Sequence, residues 1–151
     1  MKIAGLAVAA VLANVLFAGC SSVPLGATFQ EVRDVPQGKG VVYLFRPHLT
    51  EEYAVDFDVV VEGTGTVTLP DGSYAALVVT PGVVTLKAAR TGEPTAVLPL
   101  SVEAGRPHFV RMEPVPGFFR YKPTLMLEPT EAGRNDITGC RQVMEAPKPA
   151  R

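Results

Sequence analysis

From residue 40 onward the chain alternates short apolar runs with tight polar breaks, the pattern of strands joined by turns. Val41-Val42-Tyr43-Leu44-Phe45 is apolar without interruption, as a central strand covered on both faces would be. Val55, Phe57, Val59 and Val61 alternate with Asp56, Asp58, Val60 and Glu62, a half-buried strand of period two. Thr66 to Leu69 is a further short strand, closed by Pro70-Asp71-Gly72. Tyr74 to Val79 leads into Thr80-Pro81-Gly82, a turn in which Pro sets the first central position and Gly accepts positive φ at the second. Val84, Leu86 and Ala88 are expected to return as the partner strand of that hairpin. Ala96, Leu98, Leu100 and Val102 form another inward set. Pro99 within it has no N–H for a ladder and predicts an edge strand. Glu103-Ala104-Gly105-Arg106 turns into a strand from His108 to Glu113, and Leu125 and Leu127 mark a last strand. After Pro129, residues Thr130 to Val143 read as a short helix with Ile137, Cys140 and Met144 on one face, weakened by Gly133 and Gly139. Seven to eight strands at this spacing predict a mainly β chain forming a single antiparallel β-sandwich with a short C-terminal helix.

The N-terminus has a different pattern. Met1-Lys2 gives a short positive end, and Ile3 to Phe17 is almost wholly apolar, broken by Asn14. Ala18-Gly19 then supplies small residues, which completes the layout of a secretory signal. Cys20 follows directly, and Leu16-Phe17-Ala18-Gly19-Cys20 resembles the lipobox of bacterial lipoproteins, with Phe17 where Leu is commonest. An ordinary signal peptide or an uncleaved spanning helix is the alternative. A span needs about 20 apolar residues, and this run is shorter and lacks a flanking charge cluster. The resemblance implies that Cys20 becomes the first mature residue and carries acyl chains that hold the protein to the membrane. Ser21 stands where an inner-membrane retention signal would show Asp, which favours the periplasmic face of the outer membrane. The expected organisation is a signal peptide over residues 1–19, a lipidated tether over 20–39, a β-sandwich over 40–145 and a disordered tail over 146–151.

Composition narrows the partners. Removing the signal leaves 151 − 19 = 132 residues, enough for one domain with its own core. Lys2 leaves with it, so 13 basic and 15 acidic residues give a formal charge of −2. No basic patch with interleaved aromatics stands out, which argues against nucleic acid. With Cys20 committed to lipid, Cys140 has no partner within the chain, and the fold must rest on apolar burial.

The order of motifs is also familiar. Gly38-Lys39-Gly40-Val41-Val42-Tyr43-Leu44-Phe45-Arg46-Pro47 resembles the opening of a bacterial lipoprotein family catalogued as domain of unknown function 2846. Thr80-Pro81-Gly82, Glu103-Ala104-Gly105, His108 to Arg111, Gly117-Phe118-Phe119, and Gly133-Arg134 with Ile137 and Cys140-Arg141 are similar to its later segments, so the likeness spans about residues 38–143. Glu62-Gly63-Thr64-Gly65 departs from the Asp-Gly turn that the family more often shows. The resemblance implies a prealbumin-like or Ig-like sandwich and assigns no activity.

Candidate chemistry is sparse. His48 lies in a loop, His108 shares strand parity with Val110 and Met112, and no Gly-x-Ser-x-Gly elbow accompanies either. Asp56, Asp58 and Glu62 form a column that reads as a solvated strand face rather than a cation site. Cys140 beside Arg141 is either a reactive thiol or, by its register with Ile137, a buried small hydrophobe. Pro116-Gly117-Phe118-Phe119-Arg120-Tyr121-Lys122-Pro123 sets three aromatics and two cations between prolines. Phe118, Phe119, Arg120 and Tyr121 are the candidate binding residues, the ingredients of an interaction hot spot. The other reading has Phe118 and Phe119 plugging an open end of the sandwich. The function expected from all this is a non-catalytic envelope binding or accessory module, needing no cofactor or metal. Its partners would be the membrane through Cys20 and an envelope protein or the cell wall. The alternatives are a small periplasmic hydrolase or thiol-dependent enzyme using His48, His108 or Cys140, or a purely structural spacer.

Overall fold

The computed structural model describes residues 23–49, 55–90 and 95–149. Cys20 and the expected signal segment lie outside them. Among the described residues the chain is mainly β, with ten strands in two facing sheets and one short helix. In order, the strands are β1 (Leu25–Thr28), β2 (Gly40–Arg46), β3 (Phe57–Val61), β4 (Gly65–Leu69), β5 (Ser73–Val79), β6 (Gly82–Ala89), β7 (Ala96–Val102), β8 (Pro107–Val115), β9 (Lys122–Glu128) and β10 (Arg141–Val143). Helix α1 (Thr130–Asp136) falls between the last two.

Six strands form one sheet in the order β1-β10-β5-β2-β8-β9, and four form the other in the order β4-β3-β6-β7. Strand β2 sits in the middle of the larger sheet with every residue buried, the environment its unbroken apolar run requires. One of its faces, with Val42 and Leu44, meets Phe57, Val59 and Leu86 of the smaller sheet in the main core, a sandwich-like arrangement. Its other face, with Val41, Tyr43 and Phe45, builds a second core with Phe109, Ile137 and Cys140. Phe29, Val32 and Val35 pack against that second core. Burial on both sides is why this strand has no polar alternation. Strands β3 and β4 face the core on one side only and keep the period-two pattern. Strand β7, which contains Pro99, is an edge strand as its proline demands.

Several expectations are corrected. The larger sheet is not wholly antiparallel, because β2 runs parallel to β8 and β10 parallel to β5. Strands β5 and β6 are not a hairpin. β5 pairs with β2 and β10, β6 pairs with β3 and β7, and the turn at Thr80-Pro81-Gly82 carries the chain from one sheet to the other. Gly82 makes that crossing at φ 130°, a conformation that L side chains rarely adopt. The helix stops at Asp136 instead of reaching Val143. The Cys140 N–H bonds back to the Ile137 carbonyl at 2.8 Å, and the Arg141 N–H bonds to the Gly72 carbonyl at 2.9 Å, which starts β10 alongside β5. Ile137 and Cys140 are buried as their spacing implies, whereas Met144 lies beyond the turn and is 62% exposed.

The stretch read as a tether is partly folded. Strand β1 pairs with β10, the Arg141 guanidinium donates to the Leu25 and Gly26 carbonyls, and Phe29 stands edge-on to Tyr43 and Tyr74, 5.3 Å from each ring. The tail also has a fixed point. Lys148 exchanges backbone hydrogen bonds with Thr66 on the edge strand β4. Strands β1 and β10, absent from the sequence reading, account for the count of ten.

Candidate functional site

Strands β2, β6 and β8 all run toward one end of the sandwich, where β3, β5, β7 and β9 begin. We call this the far end. The opposite, entry end is where β2, β6 and β8 begin, and β1 runs from that side toward the far end along β10, with Leu25 beside Val143. Two constellations sit at the far end, one open and one buried.

The open one is made by the β8–β9 connection. Phe118 and Phe119 are 92% and 91% exposed, so they do not plug the sandwich. Their rings pack edge to face, 4.6 Å between centroids at 83°, and so present an apolar corner to solvent. Residues 118–123 line a cavity of about 270 Å³, closed on its other side by Arg90 and Thr95 from either side of the β6–β7 connection. The structure thus brings together all four predicted binding residues, Phe118, Phe119, Arg120 and Tyr121, and adds Arg90, Thr95, Lys122 and Pro123. Arg90 and Thr95 are far away in sequence, and no local signal marks them. Among the described lining residues three are cationic and none is acidic.

The buried constellation centres on Arg46, whose side chain is fully enclosed. Its Nη1 donates to the Val55 carbonyl at 2.5 Å and the Leu69 carbonyl at 3.2 Å, and its guanidinium carbon lies 5.1 Å from the Phe57 ring centroid. Asp71 Oδ1 is 3.8 Å from Arg46 Nε and also accepts the Leu49 N–H at 3.0 Å. The other oxygen of Asp71 bonds to Nδ1 of His48, whose side chain is 74% exposed. Arginine suits this place because its Nη1 serves two carbonyls while its flat face lies on an aromatic ring.

The remaining candidates are placed apart or otherwise engaged. Cys140 is 1% exposed and its thiol donates to the Arg46 carbonyl at 3.5 Å. Burial, with the nearby Asp71 charge, pushes that thiol up to about 12. His108 is at the entry end, where its Nε2 accepts the Glu103 N–H at 3.0 Å. Partial burial holds its pKa below the usual imidazole range, outweighing the pull of the Glu103 carboxylate. Neither histidine bonds to a serine, threonine or cysteine side chain among the described residues. Asp58 accepts the Thr68 hydroxyl at 2.6 Å on the outer face of the smaller sheet. The Asp56 carboxyl is raised by burial against the opposing pull of Arg46. Among the described residues no cluster of three His, Cys, Asp or Glu is placed to hold a metal ion, and no helix is long and apolar enough to cross a membrane.

Comparison with known proteins finds no family model, no curated protein and no solved structure that matches this chain. What the site can do is therefore argued from its own geometry: it can stack an apolar ring and neutralise an anion.

Proposed function

We propose that the chain is a lipid-anchored, non-catalytic binding module of the bacterial envelope. In this reading it is held by acyl chains on Cys20 at the periplasmic face of the outer membrane and uses the far-end cleft to engage an envelope partner. Its sandwich would be of the prealbumin-like or Ig-like type, and the likeness to the lipoprotein family with domain of unknown function 2846 fits the same picture. The observation that carries the binding reading is the pair Phe118 and Phe119, nine-tenths exposed at the mouth of a cationic cleft. Folded chains rarely leave two adjoining phenylalanines in water unless they meet a partner. A thiol enzyme is disfavoured because Cys140 is buried and held protonated.

The anchor and the cleft are tested separately. Wild-type protein should incorporate labelled fatty acid and fractionate with outer membranes, whereas Cys20→Ala should do neither. Absence of acyl label on wild-type protein would end the anchoring claim. Envelope cross-linking through the cleft should fall in Arg120→Ala and Tyr121→Ala while thermal stability holds. Unchanged cross-linking in both variants would end the binding claim.

A further inference from the structure

We propose that the far-end cleft is a binding site for an anionic saccharide, with a sugar ring against the phenylalanine corner and its acidic group held by Arg90, Arg120 and Lys122. The inference rests on the binding-module reading and adds the chemical class of the ligand. Three features of the site lead to it.

The first is charge. Arg90, Arg120 and Lys122 line one small cavity, and no described carboxylate forms an ion pair with any of them. The other surface arginines whose ion pairs are resolved, Arg106, Arg111 and Arg134, each meet a carboxylate within their own neighbourhood. Three gathered cations with no counter-charge among the described residues favour an anionic ligand, and arginine offers a carboxylate or phosphate a two-pronged grip.

The second is shape. At about 270 Å³ the cavity is below the usual range for drug-sized ligands, so it takes a ring-sized group rather than a bulky one. Phe118 and Phe119 meet at 83°, and such a corner offers an aromatic face to the C–H side of a pyranose.

The third is what the backbone withholds. Pro114 and Pro123 stand opposite each other at the far end of the β8–β9 ladder, and Pro116 follows in the connecting loop. None of the three has an N–H. An extended peptide adding to a sheet edge is held by main-chain hydrogen bonds, and here the edge is short of donors. A bilayer is a poorer fit as well. The corner adjoins β9, at the opposite edge of the larger sheet from β1, the strand that follows the proposed anchor.

The full-length chain in detergent micelles should be titrated by calorimetry with oligogalacturonate, neutral maltohexaose, polyglutamate and phosphatidylglycerol vesicles. Oligogalacturonate should bind at least ten-fold more tightly than the other three, and its affinity should fall as salt rises. F118A/F119A and R120Q/K122Q should each weaken it ten-fold or more with Tm unchanged. Equal binding of polyglutamate or vesicles would overturn the inference, as would full retention of affinity in F118A/F119A. Absence of oligogalacturonate binding would also overturn it. If cleft-dependent envelope cross-linking persisted in that case, the binding-module reading would stand with a different ligand. Loss of both would remove the two together.

Discussion

Arg46 is a single residue that ties the β2–β3 and β4–β5 connections to the end of β2. Its donors satisfy the Val55 and Leu69 carbonyls, its charge faces Asp71, and its flat face covers Phe57. Lysine keeps the charge but cannot serve both carbonyls and the ring. Arg46→Lys should therefore lower unfolding free energy by about 2–3 kcal/mol, and Arg46→Ala by about 3–5 kcal/mol, as denaturant titration would read. Phe118→Ala and Phe119→Ala should instead stay within about 0.5 kcal/mol of wild type, because both rings are already in water. Two titrating residues set opposite pH limits. The buried Cys140 thiol is raised to about 12 from an ordinary value of 9.0. Below 9.0 both states are protonated and nothing is lost. Above it the unfolded thiol ionises first, so stability falls as pH rises from there. His108 is the reverse case, with its folded pKa lowered by burial. Its contribution is complete above the unfolded value of about 6.5 and declines as pH falls below it. His108→Gln should flatten the acid side of the stability profile, and Cys140→Ala the alkaline side. Native Cys140 should also resist thiol reagents at neutral pH until the protein is unfolded.

At the scale of elements, helix α1 is positioned by a glycine that helix propensity would reject. A Cβ on Gly133 would land on Cβ and Cγ of Phe109, and nothing lies within 4 Å of one on Gly139. Gly133→Ala gains about 1 kcal/mol of propensity yet should still lower Tm, because overpacking costs about 1–3 kcal/mol and the whole helix must lift off β8. Gly139→Ala should be neutral or slightly stabilising. The strand positions themselves were legible in the chain, since alternation or unbroken apolarity marks β2 through β8 directly. Sheet membership was not. The Thr80-Pro81-Gly82 turn has the same composition whether it closes a hairpin or crosses between sheets, and only the pairing of β6 with β3 and β7 decides. Strands β1 and β10 are too short to carry a period, and β10 was hidden in an apparent helical register through Ile137 and Cys140. The candidate site was half legible. The aromatic and basic residues 118–122 stand out in sequence, but a core plug and an exposed corner have the same residues. Arg90 and Thr95 join them through the fold alone.

On the scale of the whole molecule, the segment after the expected anchor is structural. Phe29 closes the second core against Tyr43, Tyr74 and Phe109. Phe29→Ala should cost about 3 kcal/mol in a denaturant titration, whereas a free tether would register almost nothing. That closure also bears on when the chain can finish folding. Strand β1 has a single partner, β10, and the Arg141 guanidinium reaches the Leu25 carbonyl across 116 residues of sequence. Wherever the chain folds, the first strand is presented long before its described neighbour. Until β10 is free to pair, the aromatic layer over β2 lacks its lid and β5 has a bare flank. Contacts of such long sequence separation come late and slow the final step. The emerging chain consequently stays open until β10 is present, and β1 and β10 then lock each other.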